Sequence, residues 1–172
     1  MRTLALVSVL SLSLAFSLAH PAAAGSPPLP QSYEVELAPV GGSDVTGTAH
    51  LVLRGERLSV ILRAFGLDPG KVHPTIIHGF PGGRASICPD AAPAVEESSS
   101  LGKEDDVRRV FGLDLLGLDP SPEADLGGVA TFQHGYDVEP RTIEPLARRT
   151  LVLYHASGTP IACGEIRTYP SS

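Results

Sequence analysis

The chain reads as all-β, an antiparallel sandwich of seven or eight short strands. Three observations predict this. Eighteen glycines and sixteen prolines, with no tryptophan and few aromatics, make a turn-rich composition that favours short strands over long helices. Apolar and polar residues alternate with a period of two in several short runs bounded by glycine or proline turns. Only two cysteines occur, Cys88 and Cys163, 75 residues apart in a chain that reads as exported, and such a pair is expected to form one long-range disulfide. A free reactive thiol or a metal thiolate is the alternative.

The exported reading comes from residues 1–24. Arg2 supplies a positive start, Leu4 to Leu18 is apolar or small, and Ala22-Ala23-Ala24 precedes Gly25 as a small-residue cleavage site. A spanning helix is the competing reading. The run is shorter than the ~20 apolar residues a span needs and lacks a basic stop-transfer flank, so no membrane span is expected after cleavage. Loss of residues 1–24 leaves 148 of the 172 residues, enough for one domain with a real core. Loss of Arg2 makes the formal net charge of −6 one unit more negative. An acidic domain lacks the dense basic surface that nucleic acid requires, so no nucleic-acid partner is expected.

Gly25 to Gln31 is a proline-rich lead-in, and the domain is placed at 32–170. Tyr33 to Leu37 is the first strand, its Tyr33, Val35 and Leu37 alternating with Glu34 and Glu36. After a turn at Gly41–Asp44, Gly47 to Arg54 follows with Ala49, Leu51 and Leu53 on one face. Gly55-Glu56 is a hairpin break. Arg57 to Phe65 reads as a central strand, apolar on both faces. Val72 to Phe80 carries two histidines, and Pro74 marks it as an edge strand or a strand start. Residues 81–107 have almost no apolar periodicity and read as a long loop. Val107 to Leu118 fits a short helix or a strand, and Gly112 and Gly117 favour the strand. Gly128 to Tyr136 is a strand, Ile143 to Ala147 a helical turn, and Thr150–Tyr154 and Ile161–Arg167 the last two strands.

Two sets of motifs carry a family resemblance. The segment VTGTAHLVLRGERLSVILRAFGLDPGKVHPTIIHGF resembles the core of a chordin-like (CHRD) domain, with its Gly-Thr-Ala strand, glycine hairpin and strand ending in His-Gly. RRTLVLYH and IACGEI resemble the final strands of copper,zinc superoxide dismutase and its secreted bacterial relatives. The resemblance spans roughly Tyr33 to Thr168. It implies a Greek-key β-sandwich, superoxide dismutase-like and immunoglobulin-like in build. It also implies that the cysteine following the histidine strand, Cys88, pairs with the one in the Ala-Cys-Gly strand, Cys163.

The functional carry-over is poorer. The family's copper strand has the pattern His-x-x-His-x-His. Its last histidine falls on His78 and its first, which supports the ligands from behind, on His73, while the middle ligand position holds Ile76. The family's late-strand copper histidine falls on Tyr154, with His155 one residue on. A one-residue shift turns a strand side chain to the opposite face unless a bulge re-aims it. Residues 89–127 hold no histidine for a zinc site, the guiding arginine before the second cysteine falls on or near Pro160, and the loop acids lack calcium-loop spacing. Copper cycling needs several converging imidazoles, and His73 and His78, an odd number of residues apart, point to opposite faces of an extended strand.

A metal site would need His78 with His73, His155, His134 or a loop carboxylate. Otherwise His78 is a structural histidine bonded to loop backbone, and His73 is at the surface or behind the site. His50 is expected exposed. There is no Gly-x-Ser-x-Gly elbow and no phosphate-binding glycine loop. The expected function is therefore non-catalytic: binding or structure outside the cytoplasm, with an unidentified extracellular or envelope partner and no resident cofactor. A copper-dependent dismutase, or copper or zinc binding without turnover, are the competing readings.

Overall fold

The computed structural model describes residues 29–88, 108 and 111–170. The expected signal segment, most of the lead-in and the loop over 89–107 lie outside the described residues.

Nine strands are described: β1 (Gln31–Pro39), β2 (Thr46–Arg54), β3 (Arg57–Phe65), β4 (Thr75–Gly79), β5 (Leu113–Gly117), β6 (Ala130–Asp137), β7 (Thr150–Tyr154), β8 (Pro160–Glu165) and β9 (Arg167–Thr168). All pair antiparallel, in the order β5-β4-β7-β8-β1-β2-β3-β6, with β9 also on β1. The strands β1, β2, β3 and β6 make one layer, and β4, β5, β7 and β8 the other. The chain leaves β3 for β4 in the other layer, and β6 returns beside β3, the Greek-key crossover. β1 belongs to both layers. Tyr33 and Glu34 pair with β9, whereas Ala38 and Pro39 pair with β8.

Alternation builds the core between the layers. Tyr33, Val35 and Leu37 of β1, Ala49, Leu51 and Leu53 of β2, and Leu58, Val60, Leu62 and Ala64 of β3 meet Ile77, Leu151, Leu153, Ala162 and Ile166. Gly55, at φ +57, makes the tight β2–β3 turn that the sequence predicts.

Four expectations are corrected. β3 is central in the strand order, but it is buried on one face only; Ile61 and Phe65 stand 48% and 40% exposed on the other. The strand buried on both faces is β7, because its outer side is covered as well. β4 begins directly after Pro74, as a strand start, but it lies between β5 and β7 and is not an edge. Val107–Leu118 is not one strand. Arg108 and Phe111 are helical, the Gly112 amide bonds the Arg108 carbonyl, and Gly112 turns at φ +95 into β5. Glycine is required there, since a Cβ would lie 2.4 Å from the Gly79 carbonyl oxygen. Gln31, read with the lead-in, opens β1.

Candidate functional site

A second, smaller apolar cluster lies on the outer side of the β4–β7–β8 layer. Val152, Tyr154 and Cys163 are buried there with Val40 and Phe111, and Ile76 and Cys88 pack against them. The register that sets Ile76 opposite Val152, and Val152 opposite Cys163, puts these side chains on one face. The Cys88–Cys163 disulfide, Cα–Cα 5.7 Å, ties the segment after β4 onto β8. Both cysteines are in this bond, so the free-thiol reading does not hold.

His78 is fully buried at the centre of this cluster. Its ring lies 5.8 Å from Phe111 and 5.9 Å from Tyr154. The Tyr154 hydroxyl stands 2.7 Å from His78 Nε2, and Asp114 Oδ1 stands 3.1 Å from Nδ1 without hydrogen-bond alignment. Burial, and then the Asp114 charge, push the Tyr154 phenol far above its ordinary range, so it keeps its proton. Its hydroxyl therefore donates to Nε2, and the ring proton is left on Nδ1, facing Asp114. Burial pushes His78 down, and the Asp114 charge and the backbone at Gly112 and Leu113 oppose this only in part. The ring is thus neutral at physiological pH.

His73 is also fully buried, against the surface expectation. It precedes β4, its Nδ1 3.2 Å from the Tyr154 carbonyl oxygen and its Nε2 3.4 Å from that of Asp68. It anchors loop backbone and does not share a centre with the His78 ring nitrogens. His155 lies beyond β7 on an exposed turn. Its Nε2 meets Asp68 Oδ2 at 2.6 Å and its Nδ1 meets Ser157 Oγ at 2.7 Å. The order Asp–His–Ser has the look of a hydrolase relay, but the Ser157 amide also donates to Nδ1 at 3.0 Å. That nitrogen is spent locking a turn. Alternation along β7 puts Tyr154 on the face of Val152 and Ile76, so Tyr154 and not His155 faces His78, and the register shift at Leu153/Tyr154 in the β7–β8 pairing does not re-aim His155. His134 sits on β6, at the far end of the strand order, stacked on Phe132 and edge-on to Tyr136. His50 is exposed, as expected.

These residues do not fit a copper or zinc centre. One imidazole, one protonated phenol and one half-exposed carboxylate are not the converging imidazoles that copper cycling needs. The His78 nitrogen nearest the cluster is taken by Tyr154, and Ile76 and Phe111 fill the adjoining space. Among the described residues no group of three or more His, Cys, Asp or Glu could hold a metal ion.

Arg149 went unnoticed in the sequence. It is 4% exposed, and its guanidinium donates to three backbone carbonyls: Ile143 (3.1 Å), Phe80 (3.0 Å) and Glu144 (2.9 Å). Desolvation lowers its pKa, but an arginine stays charged. The fork ties the segment after His78 to the 140s loop that enters β7. Gly79 makes room for it, since a Cβ there would lie 2.5 Å from Arg149 Cδ. The Arg-Arg pair just before β7 and the His-Gly-Phe end of β4 were the signals that could have linked these positions.

No family model matches the chain, and no curated protein matches it. Solved structures do resemble it. A variant of Candida albicans superoxide dismutase 5 aligns at TM-score 0.54 and 12% identity, covering 84% of this chain and 93% of that one. The Cu(II) form of Candida albicans superoxide dismutase 5 aligns at TM-score 0.51 and 13% identity, covering 84% and 95%. At that identity the likeness establishes a superoxide dismutase-like fold and nothing about activity.

Proposed function

We propose that this chain is a secreted, non-catalytic domain of superoxide dismutase-like fold that acts by binding or structural support outside the cytoplasm. The observation that carries this reading is the Tyr154–His78 hydrogen bond inside a closed apolar cluster. It engages the imidazole that the family resemblance would give to copper. Ile76 and Tyr154 stand at the two other ligand positions of that resemblance, and they pack with His78 as core. Secretion is supported by the signal-like residues 1–24 and by the disulfide, a bond that persists in oxidising compartments. Among the described residues no helix is long and apolar enough to cross a membrane. Membership of the chordin-like group rests on the sequence pattern from Val45 to Phe80 and is part of the same proposal.

The test is a Cu(II) titration of the oxidised protein read by electron paramagnetic resonance, with His78→Gln alongside. The expected result is no stoichiometric nitrogen-ligated signal in either protein. A stoichiometric tetragonal signal that disappears in His78→Gln would overturn the reading. Dismutase activity accompanying that signal would favour the enzyme, and its absence would favour metal binding without turnover.

A further inference from the structure

The outer face of the β1–β2–β3–β6 layer carries no second layer among the described residues, although the Tyr169 ring meets His50 on it with centroids 6.0 Å apart, and it is not uniformly polar. Val52, Ile61 and Phe65 stand 36%, 48% and 40% exposed on it. The register arranges the face in rows: Glu34, His50, Ile61 and Gln133 in one, and Glu36, Thr48, Arg63 and Thr131 in the next. A groove of about 880 Å³ runs along β1, walled by Phe65 on one side and by Glu165 and Arg167 on the other, with Glu34 and Glu36 on its floor strand. Its charge is acidic on balance, since Arg167 is already paired with Glu165 at 3.4 Å. Two strands away, Arg63 lies against the Phe65 ring at 4.9 Å and gives that strip a cationic, apolar character. Glu36 and Arg63 stand two strands apart, about 10 Å between backbones, and among the described residues no ion pair joins them.

We propose that this face is a self-complementary interface between two copies of the chain. A two-fold axis parallel to β2 sets β1 of one copy over β3 of the other, within the same row. Glu36 of each copy then meets Arg63 of the other, twice over. Each Arg63–Phe65 strip enters the other copy's acidic groove, and His50 and Val52 lie on the axis. A basic peptide would satisfy the groove but leave Val52 open, whereas a second copy also sets Val52 against its own mate on the axis. The symmetry is the isologous kind that most homodimers use. Four strands of eight or nine residues span roughly 20 by 30 Å. That footprint is at the lower edge of the ~800 Å² per partner of a standard interface, so the dimer is weak and sensitive to salt.

The inference stands apart from the metal reading, because no residue in it touches His78. Its test is sedimentation of the oxidised protein over a concentration series, at low and high salt. The expected result is a concentration-dependent dimer, roughly tenfold weaker in high salt and in Arg63→Glu. Ile61→Glu, which sets a second carboxylate opposite Glu34 of the other copy in the same row, should abolish it, and Glu36→Arg combined with Arg63→Glu should restore it. All of these positions are exposed or half-buried on the sheet surface, and circular dichroism checks that each variant folds. A monomer at every concentration would overturn the inference, as would a dimer indifferent to Arg63→Glu and Ile61→Glu.

Discussion

Replacing Arg149 with methionine removes a buried cation and takes the donor from three carbonyls. The side chain is similar in length and apolar, so it adds no clash and isolates the guanidinium. Three charge-assisted bonds are lost, from Ile143, Glu144 and Phe80. Each is worth about 1.5–3 kcal/mol in mutational series, but the plain sum overstates the loss, since the cation's own desolvation cost is relieved with it. Against that relief, the Ile143 carbonyl is left buried with no donor, while the part-buried carbonyls of Phe80 and Glu144 turn to water. A net loss of about 2–3 kcal/mol follows, a sizeable share of what a domain this size has. In urea at ~2 kcal/mol/M the midpoint should fall by about 1–1.5 M. The melting temperature should fall by about 5–12 °C. Arg149→Lys keeps the charge but not the fork, and its loss should be intermediate. A methionine variant within ~1 kcal/mol of the parent, or a lysine variant equal to it, would refute the claim that the fork holds the two loops together.

Tyr154→Phe should cost about 1–3 kcal/mol, because it leaves His78 Nε2 buried without a donor; equal urea midpoints for variant and parent would contradict this. His78 also predicts a pH dependence. Its folded pKa lies below the ordinary 6.5, so the unfolded chain takes up the proton first as pH falls. Stability should be full above pH 6.5 and decline below it, until the folded form also protonates. His78→Gln should flatten that decline, and identical pH profiles for the two proteins would sink the assignment. Reduction of Cys88–Cys163 opens a 75-residue span and should cost up to ~4 kcal/mol in the chain-entropy model. An unchanged melting temperature in reductant would show that the outer cluster holds the segment without the bond.

Most of the sandwich was legible because its alternation is clean. β1, β2 and β3 follow from Tyr33-x-Val35-x-Leu37 and its successors, and the disulfide from two cysteines in a chain that reads as exported. β3 was misjudged because Ile61 and Phe65 look like core by composition, and only the tertiary structure shows that nothing covers them. β7 was the reverse case. Five buried residues in a row signal two covered faces, but the cover over Tyr154 comes from Phe111 and Cys88, far away in sequence. The site was legible at the level of substitution, since Ile76 and Tyr154 fall where ligands would. Their replacement chemistry was not. A hydrogen bond from Tyr154 to His78 depends on the register of β4 against β7, and Asp114 reaches His78 only through a bulge between β4 and β5. Arg149 was invisible because its partners are carbonyls, which carry no residue identity.

The sharing of β1 between layers has a bearing on how the protein comes into being. Its first half is stitched to β2 and β9 and its end to β8, so the seam can close only after residues 160–168 have been made. Until then β1 has a free flank, and the meander β1–β2–β3 lacks the strand that joins it to the other layer. A chain whose earliest strand waits for its latest ones stays pliable through most of its synthesis. It then folds slowly, since pairings this distant in sequence carry a high closure cost. The barrel is shut last at the point where its two walls join.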